Sequence, residues 1–119
     1  LVGNITGGSS SGGGSGTPQA GGGTISDVSA NTGQWKHYTL DVPAGMTTFT
    51  VTTSGGSGDA DLFVKYGSQP TASSYDCRPY KNGNAETCTF TNPQAGTWHL
   101  SVNAYSTFSG LTLSGQYQP

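Results

Sequence analysis

Charge is scarce in this sequence: Asp, Glu, Lys and Arg make up 8% of its 119 residues, against about 25% in an average soluble domain. A surface so composed is wetted by hydroxyls and amides rather than by ions. The four Lys and Arg are scattered and the formal net charge is -2. No basic patch exists to draw in a phosphate backbone, which excludes nucleic acid as a partner. Nor does any apolar run approach the roughly 18 to 20 residues of a membrane span. No charged and apolar leader opens the chain. The expectation is a monomer that stays in water without a membrane partner, with any secretion signal removed or lying upstream.

Histidine is nearly missing as well. His37 and His99 are the two bases of suitable pKa, and both fall in alternating runs on the Thr- and Ser-bearing side, which directs them to an outward sheet face. Neither a Gly-x-Ser-x-Gly turn nor a His-Glu-x-x-His pair occurs, so nothing in the residue order marks a nucleophile or a zinc-protease centre. No enzyme and no catalytic residue are expected. Cysteine is limited to Cys77 and Cys88, which enclose ten residues. Two lone thiols are too few for structural zinc and form no Cys-x-x-Cys pair, so a local disulfide is expected, against two unrelated buried thiols. It would stabilise the fold by about 3 kcal/mol and imply an oxidising, extracellular compartment.

What is abundant is Gly, Ser and Thr in two different arrangements. Leu1 to Gly8 looks like the tail of something else, and Ser9 to Gly23 has linker composition, with too little apolar surface to offset the entropy of ordering it. A flexible chain from Gly7 to Gly23 reaches about 20 to 25 Å. Asn4-Ile5-Thr6 fits a glycosylation sequon and is read as coincidence. Residues 1–23 are thus the end of a preceding domain plus a linker, and 24–119 form one domain. At that size a folded chain buries roughly 60 to 65% of its unfolded surface, enough for one modest core.

From Thr24 the pattern has period two. HYTLDV sets Tyr38, Leu40 and Val42 on one face, and TFTVTT sets Phe49, Val51 and Thr53. DLFVKY offers Leu62, Val64 and Tyr66, TWHLSVNA offers Trp98, Leu100, Val102 and Ala104, and GLTLSGQY offers Leu111, Leu113 and Tyr117. Turn residues close the runs at Pro43-Ala44-Gly45, Ser54 to Gly58, Asn82-Gly83, Asn92 to Gly96 and Ser109-Gly110. The fold class is all-β, an antiparallel β-sandwich whose one-sided strands bury the apolar face.

Chemistry-bearing side chains concentrate in DADLFVKYGSQPTASSYDCRPY, Asp59 to Tyr80. Asp59 and Asp61 are read as structural, fixing the turn and the strand start. Calcium is conceivable there but not favoured, because it wants six to eight oxygens and no further acidic residues lie close by. No metal or cofactor is expected. Trp35, Tyr38, Phe49, Trp98 and Tyr117 are assigned to the core. Phe63, Tyr75, Tyr80, Tyr105 and Phe108 fall out of phase or in loops; together with His99 they are the candidate contact residues for substrate. Two arrangements stay open for the rings, an exposed face or a lid folded back over the sandwich end.

The stretch SGGSGDADLFVKYGSQPTASSYDCRPYKNGNAETCTF, followed by NPQAGTWHLSVNAYSTFSGLTL, closely resembles the bacterial pre-peptidase C-terminal domain. The likeness covers Thr24 to Tyr117. The resemblance implies a jelly-roll-like sandwich at the C-terminus of secreted bacterial serine or metallo proteases. Relatives in clostridial collagenases bind collagen through aromatic side chains and hold calcium with acidic linker residues. This chain has no Asp or Glu before Asp27. The implied role is a non-catalytic accessory domain, covalently linked to a protease domain, that binds insoluble or extended protein substrate such as collagen. Two alternatives are a C-terminal prosegment removed during maturation and a carbohydrate-binding module.

Overall fold

The computed structural model describes residues 2–4, 19–79 and 83–119. Seven strands follow in order: β1 (Val2–Asn4), β2 (Gly21–Ala30), β3 (Trp35–Val42), β4 (Thr48–Ser54), β5 (Ser57–Tyr66), β6 (Glu86–Thr91) and β7 (Gly96–Gln118). Among the described residues there is no helix. The architecture is an antiparallel β-sandwich, as the alternating runs predict, and jelly-roll-like, as the resemblance implies, with one parallel pair between β1 and β3.

The two layers share a strand. The first half of β7 pairs with β3 on one side and β5 on the other; its second half pairs with β2 and β4, and β6 completes that layer beyond β4. The sequence predicts two strands here, separated by a turn at Ser109-Gly110. The structure instead continues one strand of 23 residues through that point. Gly110 takes a positive φ of 71°, which bends the strand and shifts its alternation. Trp98, Leu100, Val102, Ala104 and Phe108 face the core before the bend, and Leu111, Leu113 and Tyr117 after it.

The link from β4 to β5 turns the same corner. Gly55 and Gly56 have φ of 79° and 73°, and a Cβ on Gly56 would lie 2.0 Å from the Ser109 carbonyl oxygen. Two backbones therefore cross from one layer to the other in direct contact, which only glycine permits.

Leu40, Val42, Phe49, Val51, Leu62 and Val64 complete the interior with Cys88 of β6. Trp98 packs between Phe49, Phe90 and Tyr66 at centroid distances of 5.2, 4.7 and 5.2 Å. Two expectations need correcting. Trp35 shares the parity of His37 rather than of Leu40, so it stands outside the core. Phe108 keeps the core parity of Trp98 to Ala104 and is 1% exposed. Strand pairing already begins at Gly21, with Gly22 and Gly23 opposite Gln116 and Gly115.

The free edge of β5 is capped without a further strand. Its alternate N–H groups donate to Asn84 Oδ1 from Ala60 (2.9 Å), to Glu86 Oε1 from Leu62 (2.6 Å), to the Cys77 carbonyl from Val64 (3.0 Å) and to Asp76 Oδ2 from Tyr66 (2.8 Å). The segment after β5 thus satisfies an edge that would otherwise invite pairing with another chain. The Cys77–Cys88 disulfide, Cα atoms 6.2 Å apart, fastens that segment to β6.

Candidate functional site

On the outer face of the β3–β7–β5 layer, the odd-numbered positions of all three strands meet. β3 brings Trp35 and His37, β7 brings His99, Ser101 and Asn103, and β5 brings Asp61, Phe63 and Lys65. The register sets them side by side: His37 opposite Ser101, Trp35 opposite Asn103, Phe63 opposite Ser101 and Asp61 opposite Asn103. The loop after β5 then folds over part of this face. Tyr75 meets the Phe63 ring edge-on at 5.5 Å, and the Arg78 guanidinium lies 4.7 Å from its centroid. Trp35 covers the other side of Phe63 at 4.8 Å and stacks on His37 at 5.4 Å.

Phe63 is therefore 1% exposed despite lying on the outward face. Rings with polar tips close over it because its apolar surface is costly to leave wet. Tyr75, half-buried, thus folds back over Phe63 on the outer sheet face and not over the sandwich end. Neither Phe63 nor Phe108 can be a surface contact residue, and both are corrected on that ground. His99 is half-buried on the same face, and Tyr80 lies outside the described residues.

Tyr105 is 70% exposed. Ala60 pairs with Ala104 and Asp59 with Ser106, so Tyr105 is the extra residue of a bulge on β7. Bulges bend a strand and re-aim its side chains. The ring stands at the end of the face that carries Trp35 and Asn103.

His37 and Ser101 form the contact most like catalytic chemistry. Gln69 Nε2 lies 3.1 Å from His37 Nε2 and acts as the donor, which puts the ring proton on Nδ1; Nδ1–H then donates to Ser101 Oγ at 2.8 Å. An activated serine needs the reverse, a ring nitrogen accepting the hydroxyl proton. Ser101 is also 0% exposed. The pair is a cross-strand tie rather than a nucleophile. Residue order alone did not disclose it, since it depends on the β3–β7 register.

Burial holds His37 and His99 below the ordinary imidazole value. Each takes a proton less readily in the fold than in the unfolded chain. Their contribution to stability is whole above about pH 6.5 and falls as pH drops below it. Thermal melting is expected to show a lower midpoint at pH 5 than at pH 7.5, with the difference reduced in His37→Gln. An equal drop in both proteins would contradict this.

Asp61 is buried and accepts from Arg78 Nη2 at 3.4 Å. Burial first, then the charge of Asp59, push its carboxyl up from the ordinary value, while the Arg78 hydrogen bond and charge pull it down. The guanidinium places a positive charge beside Asp61, and both aspartates lie near the start of β5.

The sequence model of the bacterial pre-peptidase C-terminal domain matches residues 34–104. The chain is 57% identical over 93 residues to the extracellular protease of Xanthomonas campestris pv. campestris, covering 78% of this chain and 16% of that protein. It is 44% identical over 93 residues to alkaline serine exoprotease A of Vibrio alginolyticus, covering 78% and 17%. With a zinc metalloprotease of Helicobacter pylori it shares 46% over 89 residues, 75% of this chain and 34% of that protein. The chain thus spans about a sixth of the first two and a third of the last. Among solved structures, the solution structure of vEP C-ter 100 is similar at 46% identity, covering 76% of this chain and 88% of that one with a TM-score of 0.65. The crystal structure of Aeromonas hydrophila PliG, a periplasmic lysozyme inhibitor, covers 98% and 97% at 20% identity and a TM-score of 0.66. That likeness is of fold alone.

Proposed function

The chain belongs to the bacterial pre-peptidase C-terminal domain family, and from that premise we propose that it is a non-catalytic accessory domain holding an exported protease on insoluble or extended protein substrate. On this reading the folded domain takes in the paired glycines from Gly21 onward, and the Gly/Ser-rich stretch before it is the linker. Similarity to both a serine exoprotease and a zinc metalloprotease supports a role independent of the catalytic chemistry upstream. The disulfide supports export, since such bonds persist in oxidising compartments.

The observation that carries the binding role is Tyr105, raised on its bulge and 70% exposed, at the end of a face bearing half-buried Trp35 and His99. A tyrosine gives a broad apolar body with a polar tip, the surface that extended peptides and sugars both use. Tethering raises the local concentration of cleavable bonds, so weak affinity suffices.

Cosedimentation with insoluble collagen and with a second insoluble protein tests the proposal. Wild-type domain is expected in the pellet, and Tyr105→Ala to be retained at least about fivefold less, the loss of a contact residue worth about 1 kcal/mol. Wild-type domain left in the supernatant of both would sink substrate anchoring. Retention on a glycan array instead would turn the same rings to carbohydrate.

A further inference from the structure

The edge of β3 that faces away from β7 already receives a strand. β1 lies along it in parallel, Val2 opposite His37, Gly3 opposite Tyr38 and Asn4 opposite Thr39. Three residues of β1 meet a strand of eight. Among the described residues, Trp35, Lys36, Leu40, Asp41 and Val42 have no strand partner on that side. The contrast with β5 is direct: there side chains and a carbonyl cap the N–H groups of Ala60, Leu62, Val64 and Tyr66, whereas β3 is left to a short parallel strand from the far side of the Gly/Ser-rich stretch. Parallel pairing is slightly weaker per residue than antiparallel, so the resident is easily exchanged.

We infer that the β3 edge is a strand-addition site for the extended backbone of a protein, with Val2–Asn4 as the resident that such a strand displaces. Strand addition draws affinity from main-chain hydrogen bonds and specificity from surfaces that meet alternate side chains. The edge strand itself supplies those surfaces, since Trp35 and His37 stack on its outer side. Lys36 and Asp41 put one charge of each sign on β3, which selects for backbone shape rather than for an acidic or basic ligand. The resident sets the threshold: a tethered strand competes at an effective concentration of about millimolar. The identity of the occupant as substrate rests on the substrate-anchoring proposal above; the existence of the edge site does not.

The test compares the 119-residue chain with the double variant Gly3→Pro, Asn4→Pro. Adjacent residues of a strand direct their N–H groups to opposite sides, so two successive prolines remove the donor facing β3 whichever residue bears it. The probe is the synthetic octapeptide LVGNITGG, followed by a reduced, alkylated and unfolded protein. Among residues 37–39, the amides that face away from β7 are expected to exchange at least about tenfold faster in the variant, with those that face β7 and the β7 core unchanged. The octapeptide should bind the variant at least about tenfold more tightly than wild type and restore the protection, and the unfolded protein should protect the same amides. Unchanged exchange at residues 37–39, equal octapeptide affinity for both chains, or protection that grows with protein concentration as the variant dimerises would overturn it. Failure to protect β3 overturns the edge site even where the domain still pellets with insoluble protein. Protection without pelleting supports the edge site and overturns only the anchoring role.

Discussion

Gly56→Ala is expected to melt about 15 °C or more below wild type, from a loss of roughly 3 kcal/mol at about 4 to 8 °C per kcal/mol for a domain of this size. Two costs combine. At a φ of 73° any side chain strains the backbone by about 1 kcal/mol. The added Cβ would also stand 2.0 Å from the Ser109 carbonyl oxygen and 2.7 Å from the Gly110 carbonyl carbon, both backbone atoms that cannot swing aside, so the corner itself must open. Gly33→Ala separates the two. Its φ is 88° with nothing within 4 Å of the new carbon, so it pays the conformational cost alone. Equal melting points for the two variants would show that the layers do not cross in contact at Gly56.

Removing the disulfide with Cys77→Ser and Cys88→Ser is expected to cost about 3 kcal/mol, read as a lower guanidinium midpoint. Closing an 11-residue separation restrains the unfolded chain, and Cys88 is buried in the core, where a hydroxyl needs a partner. The effect should also be local. Cys77 and Asp76 accept from Val64 and Tyr66, and Asn84 and Glu86 from Ala60 and Leu62. With the bond gone, those four amides should gain exchange rate beyond the general loss of stability, and Phe49 and Val51 should follow the general loss alone. A uniform rise across all six would mean that the bond holds the whole domain and not the β5 edge.

Reading strands from period two works where one face is dry and the other wet, as in TFTVTT, whose Phe49, Val51 and Thr53 are buried in turn. It fails where that condition lapses. Phe63 breaks the alternation because an outer face can acquire a cover of its own from Trp35, Tyr75 and Arg78, and no local pattern announces a loop that returns. Trp35 reads as in phase with aliphatic neighbours, yet it shares the parity of His37, which is the outer side. Phe108 was set aside as a loop residue because Ser109-Gly110 reads as a turn; only the pairing of both halves of β7 shows a bend within one strand. The disulfide was legible by counting, but the acceptors it secures were not, since Asp76, Asn84 and Glu86 follow no period. Of the candidate contact residues, Tyr105 stands exposed, yet its prominence comes from a bulge defined by β5, more than forty positions earlier in the chain.

Strand β7 is the last element of the chain and the partner of β2, β3, β4 and β5. A polypeptide that emerges from its N-terminus first therefore holds four strands waiting for their shared neighbour, with only the β4–β6 and β1–β3 ladders able to form beforehand. Closure of both layers waits until β7 has emerged, and pairing across such long separations is slow. One late strand thereby acts as the common fastener of both layers, and whatever removes it opens both at once.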